Sequence, residues 1–308
     1  MCSWRAMSRE LRPSPIPNTS VESDPSVLLD RYRIESLLGS GAFGAVYRGH
    51  SIRSHTVVAI KVEHTTSSAQ RARFEREAAL LARINNANVV SVLDFGHLSD
   101  GAAVVVMEFV DGTSLDKYVA RHGGLLPWRD AANLTLGLLD GLDAAHEVGV
   151  LHRDIKPQNI LIQHGPVPVV KIVDFGIARA IGEELAKLTA TGQMLGSLGY
   201  MAPEQLATDP VDVRCDVYAA GVVLYELLSG QQPFKGDGLK LAMNKLASAG
   251  PESIPVPENV RPWPDELTAL VLSMLRSAPS ERPSSAYDAA QTLKAILHRA
   301  LTRPSNNG

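Results

Sequence analysis

Short alternating and β-branched runs fill the first part of the chain. Tyr32–Leu38, Ala45–His50 and Thr56–Val62, separated by Gly or Ser, predict strands. Over residues 69–84, Phe74, Ala78, Leu81 and Ala82 recur at helical spacing with charges on the other face, which predicts an amphipathic helix. Val89–Phe95 and Ala102–Phe109 predict two more strands. Together these make a five-stranded antiparallel sheet with one main helix. After Asp111-Gly112 the pattern turns helical, with helices predicted at 115–122, 128–148, 215–229, 239–249, 265–276 and 285–301. A strand-and-loop block over 150–204 interrupts them. Pro251, Pro255, Pro257, Pro262 and Pro264 mark a helix-free connection. No internal repeat is visible. The fold class is therefore α+β and bilobal: a small β lobe over 31–110 and a larger, mostly helical lobe over 111–300, with a cleft between them. Residues 1–30 hold Pro13, Pro15, Pro17 and Pro25 among Ser, Asn and Thr, a composition that cannot pack a core, and read as a flexible tail. Residues 301–308 form a C-terminal tail.

Composition narrows the function classes. At about 150 residues per domain, 308 residues fit two units. A hydrophobic content of 45% with 20% charged residues is that of a soluble globular protein. The net charge of −3 creates no global field for nucleic acid or an anionic membrane. Two cysteines, Cys2 and Cys215, build no disulfide framework and suggest a reducing compartment. The longest apolar run, Val217–Tyr225, stops at Glu226, well short of the ~20 residues of a membrane span. The N-terminus has no apolar signal core. A cytoplasmic protein with no membrane span and no nucleic-acid partner is expected.

The candidate chemistry begins at Gly39-Ser-Gly41-Ala-Phe-Gly44-Ala-Val46. Glycines let a backbone approach phosphates closely. Alone the spacing is weak, because the dinucleotide fingerprint looks similar. That fingerprint runs from a strand into a helix, whereas here strands flank the loop on both sides, which favours a hairpin lid over phosphates. Val58-Ala59-Ile60-Lys61 then places a lysine in an apolar strand. It reads either as a surface lysine or as a grip on nucleotide phosphates that needs an acid to hold it. Glu77, beside the inward-facing Ala78 and Leu81, is the preferred acid, and Glu75 is its competitor.

Downstream come His152-Arg153-Asp154-Ile-Lys156-Pro-Gln-Asn159 with the apolar Ile160-Leu161-Ile162, then Asp174-Phe175-Gly176, then Gly196-Ser-Leu-Gly-Tyr-Met-Ala202-Pro203-Glu204. In this order, behind the glycine loop and Lys61, they are not a chance set. The chain resembles the eukaryotic-like (Hanks-type) protein Ser/Thr kinases, and most of all their bacterial branch, over roughly residues 31–299. The resemblance implies the protein-kinase fold, ATP with Mg²⁺ (Mn²⁺ able to substitute), and transfer of the γ-phosphoryl to a protein hydroxyl.

It also implies roles. Such chemistry needs positioning and charge neutralisation more than covalent steps. Asp154 orients the acceptor hydroxyl, Lys156 stabilises the transferred phosphoryl, and Lys61, held by Glu77, grips the α/β phosphates. Asn159 and Asp174 are the metal ligands, both hard oxygen donors. Leu38, Gly39, Gly41, Gly44, Val46, Ala59, Met107, Glu108, Val110 and Leu161 line the nucleotide pocket, with Glu108-Phe109-Val110 as the inter-lobe hinge. His152 is structural, and Phe175 sets the position of Asp174. Asp216 anchors the catalytic-loop backbone, and Glu204 pairs with Arg282. Lys156 and Ser197 point to Ser/Thr acceptors in proteins.

Phosphorylation of Thr189 or Thr191, each phosphate adding about −1.5 to −2 charge, would dock onto Arg153 and Arg179 and order the segment after Asp174. The Thr-x-Thr pair resembles the autophosphorylated pair of bacterial relatives. A homodimer through the small lobe is implied by the resemblance, although no such surface is readable in the residues. A non-catalytic nucleotide-binding scaffold would be favoured by loss of Lys61, Asp154, Asn159 or Asp174, and all four are present. A small-molecule phosphotransferase of similar fold is disfavoured by the Ala-Pro-Glu segment. Receptor-type relatives carry a membrane span and a sensor after this region, so either a soluble kinase or a fragment is expected.

Overall fold

The structure, a computed structural model, describes residues 27–41, 44–63, 67–175, 197–207, 209–236, 238–258 and 263–302. Strands β1 (Val27–Leu28), β2 (Tyr32–Gly41), β3 (Gly44–Ser51), β4 (Val57–Glu63), β5 (Val92–His97) and β6 (Ala103–Glu108) form one antiparallel sheet in the order β1-β2-β3-β4-β6-β5. The sheet thus has six strands where five were expected. The addition, β1, lies within the stretch 1–30 assigned to a tail. Leu28 explains it: paired opposite Tyr32, it is buried with Val58, Ile60, Val104 and Val106 on one sheet face.

Successive residues of a strand face opposite sides. Ala103 and Val105 therefore reach the other face, where they pack with Phe74, Ala78 and Leu81 of helix α1 (Ser68–Leu81). Ser67 starts this helix by accepting the N–H of Gln70 at 3.2 Å, the usual service of an N-cap serine.

The second lobe contains β7 (Gly112–Ser114), α2 (Leu115–Arg121), α3 (Trp128–Glu147), β8 (Ile160–Gln163) and β9 (Val169–Ile172). It continues with α4 (Pro203–Ala207), α5 (Arg214–Ser229), α6 (Gly238–Ala247), α7 (Asp265–Met274) and α8 (Ala286–Thr302). Strands β7, β8 and β9 form a small antiparallel sheet. Helix α5 is buried along nearly its whole length, as a helix apolar all round must be. Helices α3, α7 and α8 surround it. Gly230, at φ +71°, closes α5 in the left-handed conformation that favours glycine. Among the described residues no helix is long and apolar enough to cross a membrane.

The lobes are joined at Asn86–Val90. The Ile172 N–H donates to the Asn88 carbonyl at 2.8 Å, and the Val90 N–H to the Ile172 carbonyl at 3.0 Å. The Asn88 side chain adds a bond to the Val170 carbonyl at 2.9 Å. This stretch fastens the sheet lobe to β9, which ends two residues before Asp174.

Candidate active site

The site is built outward from α5. Asp216, in its first turn, has no exposed surface (0%), so its charge must be met by protein groups. It accepts the backbone N–H groups of His152 and Arg153, each at 2.8 Å, and Nε2 of His146 at 2.9 Å. Burial opposes its ionisation, but the His146 imidazole and these hydrogen bonds outweigh it and hold the carboxyl below its ordinary value. Arg153 takes a positive φ of 65°, an uncommon conformation that this anchoring supports. The expected anchoring role of Asp216 thus has a direct geometric form.

His152 uses both ring nitrogens inside the loop. With the proton on Nε2 it donates to the Val173 carbonyl at 3.0 Å, while Nδ1 accepts the Asp154 N–H at 3.3 Å. Its ring lies 4.6 Å from that of Phe175. Burial pushes its pKa down, so the ring is neutral and serves as a buttress.

Lys156 Nζ reaches both carboxylate oxygens of Asp154, at 3.0 and 2.8 Å. Asn159 Nδ2 donates to the Asp154 carbonyl at 2.8 Å and to Asp154 Oδ2 at 3.1 Å. Both bonds leave from the Asn159 nitrogen, so its oxygen is the atom left to face a cation. Among the described residues no three His, Cys, Asp or Glu side chains gather into a metal cluster. One carboxylate and one amide oxygen nevertheless suit Mg²⁺, which takes few protein ligands and completes its shell with phosphates and water.

The expectation for Lys61 needs a correction. Its Nζ pairs with Asp174 Oδ1, across the cleft, and with Glu63 Oε1, and not with Glu77. Glu63 follows Lys61 by two residues on β4 and so shares its face of the strand, whatever the position of α1. Glu77 stays half-buried without this partner. Burial pushes its carboxyl up to about 7, against the pull of Arg153, Arg73 and Arg76. Glu75, the competitor, is exposed and faces His97 at 3.4 Å. Burial works against the Lys61 ammonium, but Asp174 and Glu63 together raise its pKa.

The glycine loop joins β2 to β3. A Cβ on Gly44, at φ +153°, would meet the Val62 carbonyl oxygen at 2.0 Å, so packing on β4 requires this glycine. A Cβ on Gly39 or Gly41 would meet nothing within 4 Å, so packing does not explain those two. Val46 stands opposite Lys61, and Ala59 opposite Met107. Val46, Ala59, Met107 and Leu161 are partly exposed, and Leu38 is half exposed. The Glu108 side chain is tied to Lys171 at 2.6 Å and accepts the Ser91 N–H at 2.9 Å, which fixes the hinge strand to the large lobe.

The protein kinase domain family model matches residues 32–296. The chain belongs to the protein kinase family. The kinase is 37% identical to the serine/threonine-protein kinase pkn3 of Myxococcus xanthus, over 86% of this chain and 50% of that protein. It is 38% identical to PknL of Mycobacterium tuberculosis, over 88% of this chain and 67% of PknL. It superposes on the M. tuberculosis PknI kinase domain with a TM-score of 0.68 at 26% identity, covering 89% of this chain and 99% of that one. The chain spans about half the length of the pkn3 relative it matches.

Elsewhere in the kinase, Arg282 grips Glu204 through two bonds of 2.7 and 2.8 Å, both side chains buried, in the pairing the resemblance implied. Arg282 also donates to the carbonyls of Arg276, Ser277 and Arg214, so its remaining donors are used. Thr189, Thr191 and Arg179 lie outside the described residues, as does the side chain of Ser197. Glu63 and Lys245 are among the charged residues that escaped the sequence reading. Glu63 was legible through the period of two that puts it on Lys61's face. Lys245, fully buried in α6, gave no signal beyond its spacing of four from Leu241.

Proposed function

We propose that the chain is an active protein Ser/Thr kinase that transfers the γ-phosphoryl of Mg-ATP to serine and threonine hydroxyls of proteins. The observation that carries this reading is the Asp154 carboxylate, held by Lys156 and Asn159 on a loop hung from Asp216. Positioning of this kind is most of what phosphoryl transfer asks of a protein. Asp154 would orient the acceptor oxygen and take its proton. Lys156, already in contact, would move onto the γ-phosphoryl as charge builds there. Lys61 would exchange Asp174 for the α/β phosphates, which frees Asp174 to join Asn159 as a metal ligand. The metal, Mg²⁺ or Mn²⁺, would supply charge neutralisation on the phosphates. Gly39 and Gly41, unexplained by packing, would let the loop lie on those phosphates. Leu38, Val46, Ala59, Met107 and Leu161 would enclose the base, with Glu108 and Val110 offering backbone bonds.

Activation would follow autophosphorylation at Thr189 or Thr191. The support is Arg153, whose buried Nε has no hydrogen-bond partner among the described residues. Arg179 would be the second docking cation. The lobes would divide near residue 110, and the chain would work in the cytoplasm and could pair through the small lobe, as the resemblance implies.

The deciding comparison is wild type against Asp154→Asn with Mg-ATP and a generic protein acceptor. Transfer to Ser/Thr in wild type and a loss of several orders of magnitude in the variant are expected, and equal incorporation in both would overturn the reading. Mapping of phosphate in the wild-type sample tests Thr189 and Thr191.

A further inference from the structure

Lys245 has no exposed surface (0%) and makes no salt bridge among the described residues. Its ammonium donates to three main-chain carbonyls: Leu198 at 3.1 Å, Gly199 at 2.7 Å and Met201 at 2.7 Å. Three hydrogens thus meet three acceptors. The nitrogen also lies 5.1 Å from the Tyr218 ring centroid and 5.7 Å from that of Phe234. Burial pushes its pKa down to about 7, Arg282 adds to the shift and Glu204 opposes it. Glu204 is itself committed to Arg282.

For packing alone this is an expensive choice. An ammonium buried without a counter-ion costs several kcal/mol before its bonds return anything. A leucine or methionine would fill the same space against Leu241 without that cost. What the lysine supplies and an apolar side chain cannot is three directed bonds to one stretch of backbone. That stretch overlaps the short 3₁₀ turn Ser197–Gly199 and leads into Pro203 and Glu204. It is clamped on another side as well, since a Cβ on Gly199 would meet Gln232 Oε1 at 2.2 Å. Leu198, Met201, Leu206 and Leu241 pack beneath it as a separate small cluster.

We propose that Lys245 is a positioning residue for catalysis: it fixes the 198–201 backbone in advance as the shelf on which the acceptor peptide is laid. The inference rests on the kinase reading above and adds to it the residue that shapes the acceptor side. A preformed shelf spares the peptide the ordering of that backbone on binding. The hydrogen bonds of Lys245 go to none of Lys61, Asp154, Lys156, Asn159 or Asp174, so its removal is expected to act on the acceptor side.

The test uses the full chain and an acceptor peptide picked from a degenerate Ser/Thr library by wild-type phosphorylation. If wild type labels no peptide, the kinase reading fails, and the variants are not needed to show it. Given a wild-type substrate, Lys245→Met is expected to raise the peptide KM about tenfold or more while the ATP KM stays within about twofold. Lys245→Gln, which keeps an amide donor, should fall between the two. Unchanged KM values, or peptide and ATP KM rising in parallel, overturn the proposal. Should the methionine variant not fold, the same split is read from the glutamine variant. Loss of folding in both also overturns it, because the lysine is then a determinant of the fold.

Discussion

Lys61 and Glu63 stand two residues apart on strand β4 and pair side by side, so the strand that carries the lysine proposed to grip phosphates also carries an acid that holds it. In the nucleotide-free protein, Glu63→Gln is therefore expected to lose about 1.5–3 kcal/mol of stability, the range for a hydrogen bond to a charged group. Glu77→Gln should show no loss. Urea unfolding of the two variants reads the difference, and the opposite ranking would return the role to helix α1.

The carboxyl of Glu77, raised to about 7 by burial, makes stability depend on pH with a definite sign. Between its unfolded value, about 4.3, and its folded value, the native protein holds a proton that the unfolded chain releases. This contribution is complete below the unfolded value and disappears as pH rises through the folded one. Wild type should thus lose more Tm than Glu77→Gln between about pH 5 and about pH 8. Parallel Tm profiles would contradict the burial of this acid.

Two glycines of one loop should respond differently to the same methyl group. Gly44→Ala drives a Cβ into the Val62 carbonyl and should cost at least about 1 kcal/mol. Gly41→Ala meets nothing and should stay within about 0.5 kcal/mol of wild type. If Gly41 is there for phosphates, the ATP KM of the second variant rises severalfold while its Tm does not move. Thermal melts beside ATP titrations decide both.

Most of the scaffold could be read from the sequence because its signals are local. The strands around Lys61 alternate with period two, helix α1 shows Phe74, Ala78 and Leu81 at helical spacing, and Asp216 opens a helix apolar on every side. The family resemblance carried by the ordered motifs placed Asp154, Lys156, Asn159 and Asp174 in one site, and implied the pairing of Glu204 with Arg282. What escaped depended on distance through space. No pattern in the chain tells whether Lys61 prefers the acid of its own strand or that of the next helix. Strand β1 escaped because two residues are too short to show a period, and Leu28 is recognisable only by what covers it. Lys245 escaped because a lysine in an amphipathic helix is assigned to the wet face, and only the three carbonyls above it reveal otherwise.

The attachment of His152 and Arg153 to Asp216 sets a division of labour between the lobes. The Asp154 carboxylate, proposed as catalytic, is referenced to a helix buried along nearly its whole length, while Lys61 rides on a sheet joined to that mass through Asn86–Val90 and residues 108–110. Any rocking of the sheet lobe then carries the proposed handhold for the nucleotide toward or away from a stationary anvil. Substitutions in the sheet should alter how often the parts meet, and substitutions around α5 should alter what happens when they do.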